Sequence, residues 1–215
     1  MNTKQFLAIE HRLLPRFPNF TVKGALMFIQ PLDNTLRGFY WEPSTFSKKE
    51  FFVNAFFLPL YIPTKHLHCT FGHRVGLRRR WSIDRFDLES TLGSEMQKEV
   101  PFLMSLRTPT DVANALKPLA IPNQNGYVNP NCSEALAYAL VLSGDIKAAA
   151  TVLDRLLKSA NPLIAWENEI ASRARLVQEK LEQPENVLEQ LAAWETETVH
   201  NLGIEASTQS PKTSS

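Results

Sequence analysis

The run 50–62, EFFVNAFFLPLYI, is apolar on both alternating faces of a strand, with Asn54 the only interruption after the leading Glu50. Successive side chains of a strand point to opposite sides, so such a run must be covered on both. It therefore belongs in the middle of a sheet with material packed on each face. Pro59 and Pro63 lack the amide donor a ladder needs and mark where the chain leaves the sheet.

The neighbouring segments supply the rest of an α+β unit. ALMFIQ (25–30) and LRGFYWE (36–42) flank PLDNT, a turn rich in residues that tolerate left-handed backbone. HLHCTFGHRV (66–75) and RWSID (80–84) read as two further strands joined at Gly76-Leu77-Arg78. A helix over Thr3 to Leu14 puts Phe6, Ile9 and Leu13 on one face, and Pro15 and Pro18 close it. The sequence predicts an antiparallel sheet of about five strands with flanking helices over residues 1–100.

The second half is written differently. All thirteen Phe lie before residue 103, whereas residues 101–202 are rich in Ala, Leu, Glu and Lys at helical spacing. DLESTLGSEMQKEV (87–100) reads as a helix. TPTDVANALKPLA reads as another, with Thr110 or Asp111 as N-cap. The Asn-, Pro- and Gly-dense stretch 121–131 reads as a linker. Leu163, Trp166, Ile170, Ala174, Val177 and Leu181 form an apolar stripe, and Pro184 opens a final helix with Val187, Leu191 and Trp194 inward. An all-helical region packed on the sheet follows, and the polar tail 203–215 is expected to be disordered.

Composition excludes some functions. With 23 basic and 22 acidic side chains there is no global pull toward nucleic acid or anionic membrane. Two cysteines, Cys69 and Cys132, make no disulfide framework. The N-terminal stretch carries Glu10 and His11 inside its apolar pattern and does not read as a secretory signal. The expectation is a cytoplasmic protein, not membrane-bound, that needs no cofactor.

Three stretches carry candidate chemistry. HLHCTFGH (66–73) holds three histidines and a cysteine. As a strand it puts His66, His68 and Thr70 on one face and Leu67, Cys69, Phe71 and His73 on the other. Four ligands split across a sheet cannot close a tetrahedral zinc site. No metal is therefore expected, although His66 and His68 are what a metal-dependent hydrolase would use, and Cys69 reads as a small hydrophobe. The most basic patch is Arg74, Arg78, Arg79, Arg80 and Trp81, with Arg85 beyond. Forked guanidinium donors beside aromatics suit an acidic partner surface, and a nucleic-acid reader is the alternative. Phe39, Tyr40, Trp41 and Tyr61 are further aromatics, divided between core and a partner-binding face. Asp84, Asp87 and Glu89 read as a strand-to-helix junction with a capping Asp. No glycine-rich phosphate loop and no G-x-S-x-G occurs.

Two resemblances follow from these residues. Residues 133–162 resemble one tetratricopeptide-type helical hairpin, with Leu136 and Ala137 in the first helix, Gly144 and Asp145 at the bend and Ala149 early in the second. Ser133, Leu140 and Leu156 depart from that pattern, and no second copy follows at the 34-residue period. The order of elements in the first half, with Arg74-Val75-Gly76 ending one strand and Trp81 and Asp84 on the next, is similar to small bacterial α+β domains, some of them immunity-protein-like. The resemblance implies a non-catalytic protein-binding module, an immunity or adaptor protein, that recognises another protein.

Overall fold

The computed structural model describes residues 3–76, 80–124 and 127–205. Its order is helix α1 (Thr3–Leu13), strands β1 (Phe20–Lys23), β2 (Leu26–Ile29), β3 (Thr35–Pro43), β4 (Glu50–Pro59), β5 (Phe71–Arg74) and β6 (Trp81–Ser82), then helices α2 (Leu88–Ser105), α3 (Pro109–Leu116), α4 (Pro130–Leu142), α5 (Ile146–Ser159), α6 (Ala165–Lys180) and α7 (Pro184–Leu202). The protein is α+β. The six-stranded sheet is antiparallel, in the order β1-β2-β3-β4-β5, with β6 also paired to β4.

The two-faced strand stands where its composition requires. On one face of β4, Phe51, Val53 and Ala55 join Phe39 and Trp41 of β3 beneath α1 and α2, which contribute Phe6, Ile9, Leu13, Leu92 and Met96. On the other face, Phe56 and Leu58 pack with Leu26, Phe28 and Leu36. That second layer is closed by the segment through Leu60, Leu67 and Cys69 and by Val199, Leu202 and Ile204. Gly38 has no room for a side chain. A Cβ there would meet the Met27 carbonyl oxygen at 2.2 Å. The β3–β2 approach at Gly38, opposite Phe56, thus depends on a bare backbone.

Phe57 and Phe71, stacked at 5.3 Å between ring centroids, carry the sheet into the helical core. Helix α4 is the centre of that core. Every residue from Cys132 to Val141 is buried, so it shows no amphipathic stripe. The bend that follows is closed by Gly144, with φ 84°, and by Asp145, whose side chain accepts from the Ala148 amide at 3.1 Å. No described helix is long and apolar enough to cross a membrane.

Several expectations need correction. Residues 66–70 are not strand, and β5 begins at Phe71. The preceding segment is tied to α7 instead: Thr198 Oγ1 donates to the Ile62 carbonyl at 3.0 Å and accepts from the Thr64 amide at 3.2 Å. Those bonds draw the chain across the second sheet face before it can pair. Strands β5 and β6 do not pair with each other. Both lie along β4, Arg74 opposite Asn54 and Trp81 opposite Phe51. Strand β1 was not foreseen; Gly24, with φ 65°, makes its turn into β2.

Helix α2 runs unbroken through the boundary expected at 100–101, with Pro101 inside it. The cap of α3 is Thr108, not Thr110 or Asp111. Asp111 is the third helical residue, completing a capping box with Thr108. The stretch 121–131, read as a linker, joins two elements of one core, since Val112 and Leu116 of α3 pack in the same core as α4. The stripe on α6 fails at its start: Leu163 lies before the helix and is exposed, as is Trp166. Ile204 is buried rather than part of a disordered tail. It follows Gly203 in a left-handed cap, its amide donating to the Val199 carbonyl at 3.1 Å. The rest of the tail, 206–215, lies outside the described residues.

Candidate functional site

One end of the sheet carries two highly exposed phenylalanines. It is built from the turn 43–49, between β3 and β4, and the turn 83–87, between β6 and α2. Ser44 and Ser47 fold the first turn on itself. Their hydroxyl oxygens each accept at 3.2 Å, from the Phe46 and Lys49 amides respectively. With its backbone closed inward, Phe46 projects and is 82% exposed. The second turn lies alongside, the Ile83 amide donating to the Lys49 carbonyl at 3.0 Å and Lys49 Nζ reaching Asp84 Oδ2 at 2.7 Å. Phe86 at its tip is fully exposed.

Arginines lie against rings on both faces of this end. Arg80 stands 5.8 Å from the Phe46 centroid and pairs with Glu50 at 3.2 Å. On the second face of the same end, the Arg74 guanidinium lies 3.6 Å over the Phe52 ring, inside the range of a cation–π contact. Its nearest carboxylate is Glu42 at 3.8 Å, and Asn54 donates to that carboxylate at 3.4 Å. Arg85 is bound to Asp87, which also accepts from Thr91 Oγ1 at 2.8 Å. The Arg85 and Thr91 bonds hold the Asp87 carboxyl well below the usual carboxylate range.

The five residues expected to bind a partner therefore do different things. Arg74 and Arg80 reach the surface, Arg78 and Arg79 lie outside the described residues, and Trp81 is fully buried in the core beneath α2. Trp81 stacks on nothing from solvent; it anchors β6. Phe71, Phe39, Trp41 and Tyr61 are likewise core, and Tyr40 is half-buried. Phe46 and Phe86 were missed. Their signal was present, since each is a lone Phe inside a polar turn, TFSKK and DRFDL.

The histidine stretch is dispersed by the break at 66–70. His66 is exposed, His68 is half-buried with Nδ1 2.9 Å from Thr70 Oγ1, and His73 leans on Glu99 of α2 at 2.9 Å. Among the described residues no three His, Cys, Asp or Glu side chains gather as metal ligands. Burial, with Glu42 nearby, pushes the Cys69 thiol up to about 11, which disfavours the thiolate a nucleophile requires. Comparison with protein-family models, with curated proteins and with solved structures finds no match.

Proposed function

We propose that the protein is a non-catalytic docking module that binds another protein through the sheet end formed by turns 43–49 and 83–87. The supporting observation is the pair of exposed phenylalanines, Phe46 and Phe86, on adjacent turns, with Arg80 beside Phe46 and Arg74 over Phe52 on the other face of the sheet. Aromatics and Arg are the residue types enriched at interface centres. Burying one Phe ring is worth roughly 1.5–3 kcal/mol. Neighbouring carboxylates, Glu50, Asp84 and Asp87, already engage Arg80, Lys49 and Arg85. An acidic partner must compete with them, so charge acts chiefly on association rate and salt dependence. In biological terms this is the work of an adaptor or an immunity protein.

The test is affinity capture with wild type and with Phe46→Ser plus Phe86→Ser, followed by calorimetry on the captured partner. A stoichiometric protein partner whose affinity falls about 100-fold or more in the double variant is the expected result. Arg74→Glu plus Arg80→Glu should slow association and flatten its salt dependence. Sub-micromolar binding of single- or double-stranded nucleic acid with a steep salt slope, and no protein partner, overturns the proposal.

A further inference from the structure

A concave feature lies where the segment 62–68 meets α4, α6 and α7. It is a cleft of about 430 Å³, within the size range of ligand sites. Its walls are fixed. Thr198 holds Ile62 and Thr64 to α7, and Asn201 Nδ2 donates to the Thr64 carbonyl at 3.1 Å. In its lining Arg173 is held by Glu134 in a forked pair, Nε to Oε1 at 2.7 Å and Nη2 to Oε2 at 2.9 Å. Glu134 is buried and also accepts from Tyr138 at 3.2 Å.

Trp166 stands in the lining, 44% exposed on a helix whose next turns bury Ile170 and Ala174. One turn along the same face is Glu169, and Glu197 of α7 completes the lining. Neither carboxylate has an ion pair or a hydrogen bond among the described residues. The positive groups nearby do not cancel them. Arg173 gives its hydrogen bonds to Glu134, and only its residual field reaches Glu169, four residues back on α6. His68, whose Nδ1 is engaged by Thr70, has its pKa lowered by burial, which favours the neutral ring. Lys65 remains, one cation against two carboxylates.

We infer that this cleft is a binding site for an arginine side chain presented by an extended peptide segment, with Trp166 stacking on the guanidinium and Glu169 and Glu197 accepting its forked donors. A planar guanidinium matches both demands, stacking on an aromatic face and donating in pairs to carboxylates, whereas an ammonium meets them only as a point charge. This site shares no residue with the sheet-end surface, so either can fail without the other.

The experiment uses the full chain with indole-labelled tryptophans. Trp41 and Trp81 are fully buried and Trp194 nearly so, which leaves Trp166 as the responsive indole, assigned by Trp166→Phe. Titration with acetyl-Ala-Arg-Ala-amide should move that resonance with a dissociation constant of about a millimolar, as suits one side chain. The citrulline peptide, of the same shape without charge, should bind at least about tenfold more weakly, a difference of about 1.4 kcal/mol. Glu169→Gln plus Glu197→Gln should lose about tenfold for the arginine peptide alone. Equal binding of arginine and citrulline peptides, no response of Trp166, or an unchanged affinity in the double variant overturns the inference. Should the double variant not fold, the citrulline comparison on the native protein decides by itself.

Discussion

The two cores of this protein treat a buried carboxylate in opposite ways. On α1, Glu10 is fully buried and neither carboxyl oxygen has a partner among the described residues. In the helical core Glu134 is equally buried, yet it receives two bonds from Arg173 and one from Tyr138. Burial pushes the Glu10 carboxyl up to about 8, so it enters the core protonated and neutral. Burial also raises Glu134, but the Arg173 bonds and charge oppose that rise. The lesson is that an apolar core tolerates an acid either by taking its proton or by supplying a cation. The first solution depends on pH, the second on geometry.

The sharpest way to break the comparison is Arg173→Ala. It strips the paired solution and leaves Glu134 buried without its cation, and should destabilise by about 3–5 kcal/mol. The urea midpoint reads this directly. Replacing both partners, Glu134→Leu with Arg173→Met, should recover most of that loss, because the penalty belongs to the orphaned charge. If the single variant melts like wild type, the forked pair contributes nothing and the contrast collapses.

Glu10 offers the next largest effect. Its proton stays on in the folded state up to about 8 and leaves the unfolded chain near 4.5. The folded state thus binds more protons between these values, and stability falls as pH rises through that window, levelling above about 8. The slope is at most about 1.4 kcal/mol per pH unit, or roughly 2 kcal/mol between about pH 6 and about pH 7.5. Glu10→Gln should flatten the profile and be the more stable form at the alkaline end. Chemical denaturation across pH checks it; a profile in which wild type and Glu10→Gln run parallel excludes a neutral buried acid.

Tyr138→Phe is the smallest and most specific probe. It removes one hydrogen bond to Glu134 while the forked Arg173 pair remains, and should cost about 1–2 kcal/mol. A change as large as that of Arg173→Ala would mean the network acts as one unit rather than as separable bonds. A double-mutant cycle of the two positions measures that coupling.

Local chemistry and periodicity made much of the fold legible in the sequence, and position in space made the rest. The two-faced run at 50–62 needed two covering layers, and it has them. The bend at Gly144-Asp145 follows from a left-handed glycine and a capping carboxylate, both local requirements. The break at 66–70 was illegible because it depends on Thr198, more than a hundred residues away, capturing Ile62 and Thr64. Alternation continued through those residues on paper, whereas the chain just before them is tied to α7 at Ile62 and Thr64. For the same reason Trp81 went to the core and Phe46 and Phe86 to the surface. Aromatic identity sets how much apolar area a residue has to bury, and only the meeting of distant elements decides which rings are covered. The cleft at Trp166 is wholly a product of tertiary structure, since its walls come from residues near 64, 131, 169 and 197 that no sequence spacing connects.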